Sequence, residues 1–152
     1  MSRDIKTLLA SVARTTSDVS SSIALPKRTG VPTSASLKSL VFLLGVTNAD
    51  TDANDTLDVF IQESPDGGTT WNDICHFAQV IGTASAGKQQ AIINCEAEPE
   101  IEMAAPSDAA MAVSTVRQGP VCSPIRAKYI IVDGGSDADQ TFTFSLICQV
   151  NT

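Results

Sequence analysis

The chain has few aromatic and few charged residues, and both shortages restrict what it can be. Aromatic residues make up 5% of the 152 residues and charged residues 18%, against a usual charged share of about 25%. Ser, Thr, Ala and Gly fill the difference, which is typical of β-strands and turns rather than of helical bundles. Hydrophobic residues reach 43%, so the chain can form one domain with a substantial core.

The chain also lacks a long apolar run. No stretch reaches the roughly 18 consecutive apolar residues of a membrane helix, and LVFLLGV at residues 40–46 has the length of a strand. The N-terminal segment MSRDIKTLLASVARTT contains no continuous apolar segment of signal-peptide type. We therefore expect a protein that is made in a cytosol and has no membrane partner.

Basic residues are outnumbered by acidic ones. Ten Lys and Arg stand against 17 Asp and Glu, which gives a formal net charge of −7 and a pI of about 4.4. An acidic surface repels phosphate backbones. We therefore expect no nucleic-acid partner.

Metal ligands and catalytic groups are scarce as well. The single histidine, His76, has apolar neighbours, which favours a packed strand residue over a base. The cysteines lie 20 to 27 residues apart without CxxC spacing, which disfavours zinc and favours reduced thiols; they are Cys75, Cys95, Cys122 and Cys148. Cys148 falls on the apolar side of the last strand, so we expect it to be buried. No catalytic residue, cofactor or metal ligand is assigned.

The segment DTDAND at residues 50–55 begins like a calcium-binding loop. Asp55 and Ile61 stand where such a loop has its sixth-position glycine and twelfth-position glutamate. An acidic, hydrated loop is the favoured interpretation, with a weak calcium site as the alternative.

Residues 1–36 are interpreted as an arm that precedes the folded domain. Apolar residues at positions 5, 8, 9 and 12 have helical spacing, which predicts a short helix. Pro26, Gly30 and Pro32 exclude a long regular element after it. We expect the arm to contact another subunit and to be removable without unfolding the domain, a disordered tail being the alternative. The predicted contact residues are Ile5, Leu8, Leu9, Val12, Arg14 and Ile23.

Residues 37–152 are predicted to form an all-β domain. SLVFLLGV reads as a central strand buried on both faces, whereas TLDVFIQE and QTFTFSLICQV alternate between apolar and polar residues. WNDICHFAQVIG, KQQAIINC, AAMAVSTVR and IRAKYIIVD are further strands. About seven strands at short spacing predict an antiparallel β-sandwich of jelly-roll or Greek-key type.

The segment SPDGGTTW between two of these strands resembles the Asp-box of sialidases and other carbohydrate-active proteins. The pattern is carried by Ser64, Asp66, Gly68, Thr70 and Trp71. Its glycines accept positive φ and its aspartate can cap backbone N–H groups, so it predicts a tight hairpin. In the proteins it resembles, the box is a hairpin feature away from the catalytic centre and recurs once per blade, whereas this chain has one copy. We assign it a role in stability, with Trp71 buried over the turn.

Three longer segments resemble a class of small virion proteins of tailed bacteriophages. They are LLASVARTTSDVSSS, LDVFIQESPDGGTTWNDI and AKYIIVDGGSDADQTFTFSLICQV. The resemblance implies a non-enzymatic structural protein of the virion, such as a capsid decoration (cement) protein on the outer head surface. Its partners would be the major capsid protein or other virion proteins, and further copies of itself, a trimer being one option.

Two alternatives stay open. The first is a neck or tail component with the same fold. The second is a carbohydrate-binding module in which Trp71, Tyr129 and Phe77 stack on sugar rings.

Overall fold

The computed structural model describes residues 2–26, 37–98, 111–135 and 140–152. Within them all regular structure is β, and none forms a helix that could cross a membrane. Two antiparallel sheets pack together, so the predicted β-sandwich is confirmed. The strands are β1 (Arg3–Arg14), β2 (Asp18–Val19), β3 (Ser39–Asn48), β4 (Thr56–Glu63), β5 (Asn72–His76), β6 (Val80–Ile81), β7 (Gly87–Asn94), β8 (Thr115–Val116), β9 (Ile125–Val132) and β10 (Phe142–Asn151).

The strand order is that of a jelly roll. Sheet A has the order β1-β10-β3-β7, and sheet B has the order β2-β9-β4-β5-β8, with β6 pairing β4. From β1 to β4 successive strands alternate between the two sheets, β4 and β5 are neighbours in sheet B, and β1 and β10 lie side by side in sheet A. Strands β6 and β8 are two-residue additions to the eight strands of the jelly roll.

The core is built from alternate residues of the long strands. Phe42, Phe144 and Leu146 of sheet A are fully buried, as are Ile61 and Ile125 of sheet B. Strand β3 follows the same alternation, so the expectation that it is buried on both faces is wrong. Every second side chain of β3 points away from sheet B and stays partly exposed.

The N-terminal segment is a strand, and the predicted helix is wrong. Strand β1 pairs along its length with β10, from Arg3 opposite Asn151 to Arg14 opposite Phe142. The register shifts twice, between Thr7 and Leu9 and between Leu9 and Val12. Each shift places one extra residue in β1, which is the geometry of a β-bulge.

The sandwich therefore begins near residue 3 rather than at residue 37. Leu8, Leu9 and Leu25 belong to the core, and Ile23 packs against it while bridging Ile125. These apolar side chains are buried by the domain itself, because β1 and β2 complete its two sheets. Residues 27–36 of the predicted arm lie outside the described residues.

Two other predicted strands are shorter than expected. WNDICHFAQVIG divides into β5 and β6, which both pair β4. Of AAMAVSTVR, the described part contributes only β8, and residues 109–110 lie outside the described ranges.

Candidate functional site

The Asp-box-like residues connect β4 and β5, two antiparallel neighbours. The Ser64 hydroxyl donates to Asp66 Oδ1 at 2.8 Å and accepts from the Gly68 N–H at 2.6 Å. Gly67 and Gly68 have φ values of 77° and 113°, which only glycine adopts without strain. The predicted turn between antiparallel strands is thus observed.

Asp66 organises this turn. Its Oδ1 accepts from the N–H groups of Thr69 at 3.1 Å and Thr70 at 2.8 Å, and its Oδ2 accepts from the Thr70 hydroxyl. The hydroxyl bond from Thr70, then the Thr70 N–H and the Ser64 hydroxyl, hold the pKa of Asp66 well below its ordinary value. The carboxylate is therefore bound as an acceptor within its own loop.

Replacing Asp66 by asparagine should destabilise the protein at neutral pH and progressively less in acid. A carboxyl whose folded pKa is lowered contributes stability above its unfolded pKa, and that contribution is lost as pH falls through the folded value. The difference in Tm between wild type and Asp66→Asn should therefore narrow from pH 6 to pH 2. A difference that stays constant across this range would contradict the assignment.

Trp71 is half-exposed, so its predicted burial is wrong. The indole Nε1 donates to the Gly68 carbonyl at 3.1 Å. The Arg126 guanidinium lies over the ring, 4.1 Å from its centroid. The ring therefore lies between the turn and a cation on the outer face of sheet B.

Trp71→Ala should cost about 1 kcal/mol, because a half-exposed ring loses little burial and an exposed cation–π contact contributes about 0.5–1 kcal/mol. This is well below the roughly 3 kcal/mol of a fully buried aromatic. Urea unfolding of the variant measures the difference. A loss of about 3 kcal/mol or more would show that the ring is a core residue.

A row of polar side chains continues from Arg126 across the outer face of sheet B. Arg126 Nε donates to Gln62 Oε1 at 2.9 Å, and Gln62 Nε2 donates to Asp73 Oδ1 at 2.8 Å. Asp73 Oδ2 then accepts from the Met111 N–H at 3.2 Å. Burial lowers the pKa of Arg126. The groove beside this row has a volume of about 230 Å³ and is lined by Val19, Gln62, Thr69, Thr70, Trp71, Arg126 and Lys128.

The three rings proposed as a sugar-stacking platform do not form one surface. Phe77 is 4% exposed and Tyr129 is 7% exposed, both as part of the core cluster. Tyr129 packs edge-on against Phe144, with ring centroids 5.3 Å apart. Only Trp71 is accessible, and Arg126 covers one of its faces.

His76 is buried, as expected, but its partners could not be foreseen. Its ring stacks on Phe60 with centroids 3.9 Å apart. Nε2 lies 2.9 Å from Asp58 Oδ1, and Nδ1 lies 2.7 Å from the Met111 carbonyl. Asp58 also accepts from Gln79 Nε2 at 2.8 Å. The hydrogen bond to the Met111 carbonyl holds residue 111 against sheet B. In the described part of the chain, no nucleophilic side chain is hydrogen-bonded to the imidazole.

The acidic loop at residues 50–55 is structural. Asp55 is 1% exposed, and its Oδ1 accepts from the Gly134 N–H at 3.0 Å. Asp52 Oδ1 accepts from the Asn54 N–H at 2.8 Å. A Cβ on Gly82 would lie 1.9 Å from the Asp52 carbonyl oxygen, so the loop packs directly on backbone. The interpretation as a hydrated loop is wrong for Asp55. Among the described residues, no three His, Cys, Asp or Glu side chains are grouped to hold a metal.

The four cysteines are free thiols, and the predicted burial of Cys148 is confirmed. Burial raises the pKa of Cys75 and of Cys148 to about 12 each. Burial also raises the pKa of Cys95 to about 11. Burial, followed by the nearby Glu63 carboxylate, raises the pKa of Cys122.

These thiols should react slowly with alkylating reagents, because the thiolate is the nucleophile and a raised pKa keeps the thiol protonated. At pH 8 we expect modification of the half-buried Cys95 and Cys122 first, and of Cys75 and Cys148 only on unfolding. Mass spectrometry of timed samples, with and without denaturant, measures the order. Labelling of native Cys148 at the unfolded rate would contradict it.

The residues predicted to bind partners lie in three different environments. Leu8 and Leu9 belong to the core. Arg14 lies over the Phe144 ring, 4.6 Å from its centroid, and its guanidinium donates to the Phe144 carbonyl at 2.8 Å. Ile5 and Val12 remain exposed, at 63% and 49%.

Ile5 belongs to a larger apolar surface that the sequence did not reveal. In one row across sheet A, Ile5 of β1 pairs with Gln149 of β10, Gln149 pairs with Val41 of β3, and Val41 pairs with Ile92 of β7. In the next row Thr7, Ile147 and Leu43 are neighbours. All these side chains point away from sheet B, with Ile92 50% exposed and the central ones half-buried. We call this surface the apolar stripe; it consists of Ile5, Val41, Leu43, Ile92 and Ile147.

No protein-family model matches the chain, and no curated protein matches its sequence at a significant level.

Proposed function

We propose that the protein is a non-enzymatic structural protein of a tailed-bacteriophage virion, most closely a capsid decoration protein on the outer head surface. The observation that carries the proposal is the apolar stripe on sheet A. Contiguous exposed apolar surface on a folded domain marks contact with another protein. The resemblance of three segments to virion proteins supports the same function.

The charges around the stripe suit attachment to a larger assembly. Three rows of outward side chains cross sheet A from Arg3, Ile5 and Thr7 of β1 to β7, and Arg3 is the one charged residue in them. The next outward position on β7 is Lys88, opposite Gly45. The chain as a whole carries −7. A neutral to basic face on an acidic protein is complementary to a neutral or acidic surface of a partner protein. Binding through this face would leave the acidic remainder of the molecule pointing away from the partner. Jelly rolls occur among viral capsid and lectin domains, which is support by fold analogy alone.

Antibody labelling of purified virions of the phage that encodes this chain tests the location. Label distributed over the head supports a decoration protein. Label confined to the neck or tail would favour the alternative of a neck or tail component. Virions that contain none of the protein would overturn the proposal.

A matched pair of variants tests the stripe. Ile92→Glu places a charge in it, and we expect at least a tenfold weaker binding to particles that lack the protein. Val132→Glu makes the same change at a residue that is 46% exposed on sheet B, and it should bind like wild type. Equal binding by both variants, with equal Tm, would remove the stripe as the attachment surface.

A further inference from the structure

Strand β1 has one side without a strand partner among the described residues. It pairs only β10 and forms the edge of sheet A. Ser2 and Thr152 exchange N–H···O bonds of 3.2 and 3.1 Å. Because bonded and non-bonded pairs alternate in an antiparallel ladder, Asp4 and Lys6 also bond to β10, and the N–H and C=O groups of Arg3, Ile5 and Thr7 face outward.

The two halves of β1 differ in how this edge is protected. Both bulges lie after Thr7, and bulges turn an edge away from a partner. In the same half the Arg14 guanidinium donates to the carbonyls of Ala10 at 2.8 Å and Val12 at 3.1 Å. Residues 3–7 have neither protection, so they form a regular, open edge.

The other sheet edges are short, or are covered over part of their length. Strands β2 and β8 have two residues each. At the edge of β7, Gln118 Nε2 donates to the Ile92 carbonyl at 3.0 Å, and the Asn94 N–H donates to Gln118 Oε1 at 2.7 Å. Natural sheets protect their edges in these ways. Residues 3–7 are therefore a regular edge segment that is able to accept another strand.

The charges on this segment identify which strand fits. The side chains of Asp4 and Lys6 lie on one face of β1, with Lys6 Nζ 2.7 Å from Asp4 Oδ2. They are 55% and 43% exposed, respectively. In an antiparallel pairing centred on Ile5, Asp4 faces Lys6 of the partner subunit and Lys6 faces Asp4 of the partner subunit. Opposite charges directly across an antiparallel pair are stabilising, and like charges are destabilising. The segment RDIKT is thus complementary to itself.

We propose that the protein forms a two-fold dimer in which residues 3–7 of β1 pair antiparallel with the same residues of a second copy. The outward groups of Arg3, Ile5 and Thr7 make about six hydrogen bonds across the axis. The two A sheets become one continuous sheet of eight strands, four from each copy. Ile5 meets Ile5 of the partner subunit, so the two apolar stripes join. The dimer does not depend on the virion role.

Charge reversal with mixing tests the pairing. By light scattering across a concentration series, we expect wild type to dimerise, and Asp4→Lys and Lys6→Asp each to have at least a tenfold larger dissociation constant. An equimolar mixture of the two variants should form a heterodimer, because each Lys then faces an Asp. Glu98→Lys, which reverses an exposed charge outside β1, should dimerise like wild type.

Two proline variants test the backbone geometry. Ile5→Pro removes an outward N–H, so it should abolish dimerisation with little change in Tm, as edge strands tolerate such a proline. Lys6→Pro removes an N–H bonded to β10, so it should lower Tm.

Several outcomes would overturn the dimer. A wild-type protein that is monomeric at all concentrations, or that forms a trimer, would contradict it. So would single charge-reversal variants that associate as tightly as wild type, or a mixture of the two variants that forms no heterodimer. Ile92→Glu, on the opposite edge of sheet A, should dimerise normally. Failure of particle binding and failure of dimerisation are therefore distinguishable.

Discussion

Deletion of residues 1–14 is expected to unfold the protein rather than release an intact domain. The deletion removes β1, exposes the β10 edge and takes Leu8 and Leu9 out of the core. Burying two leucines contributes about 3–6 kcal/mol, a large part of the roughly 5–15 kcal/mol that stabilises a domain. Circular dichroism and urea unfolding of the truncated chain measure the effect.

Single substitutions in β1 distinguish the loss of core packing from the mere shortening of the chain. Leu9→Ala should cost about 2–3 kcal/mol, because the site is 6% exposed. Ile5→Ala, at a site 63% exposed, should cost less than about 0.5 kcal/mol. A truncated chain with a cooperative transition and wild-type Tm would show that β1 is dispensable, as the arm interpretation had it.

Arg117→Met is expected to destabilise the fold by about 3 kcal/mol, because it leaves a buried carboxylate without its cation. Glu63 is 3% exposed at the end of β4, and its Oε1 accepts from the Arg117 guanidinium. Its Oε2 accepts from the Cys122 N–H at 2.6 Å. The pair thus joins β4 to the segment between β8 and β9.

A double-mutant cycle isolates the pair. Glu63→Gln in the Arg117→Met background should cost less than Glu63→Gln alone, since the charge it removes is by then unpaired. Lys88→Met, which removes an exposed cation on β7, is the control and should leave unfolding almost unchanged. Strictly additive costs would show that Glu63 and Arg117 act independently.

The sequence predicted the sandwich because its long strands alternate, and it failed at β1 for a definable reason. A bulge adds one residue to a strand, so a strand with two bulges repeats its inward positions at irregular intervals. In β1 this places Leu8 and Leu9 in the core side by side, and the resulting spacing matches a helical period. A local pattern cannot separate the two cases, because the bulges are defined only by pairing with β10.

In the candidate site, too, contacts between residues close in sequence could be predicted, and contacts between distant residues could not. The turn at residues 64–71 was predictable, since its hydrogen bonds join residues no more than four apart. Gln62, Asp73 and Arg126 form a row only because β4, β5 and β9 are neighbours. The apolar stripe likewise draws on four strands, each of which supplies one or two outward-facing residues to it.

The position of β10 has a consequence for how the chain matures on the ribosome. This strand lies between β1 and β3, so sheet A cannot close before residues 142–151 have emerged. Until then β1 has no strand partner, and β3 can pair only with β7. Contacts between such distant residues form slowly, and exposed strand edges on incomplete chains are prone to aggregate. Closure of sheet A is therefore expected to wait until β10 has been synthesised, and the shorter chain is the form most exposed to aggregation.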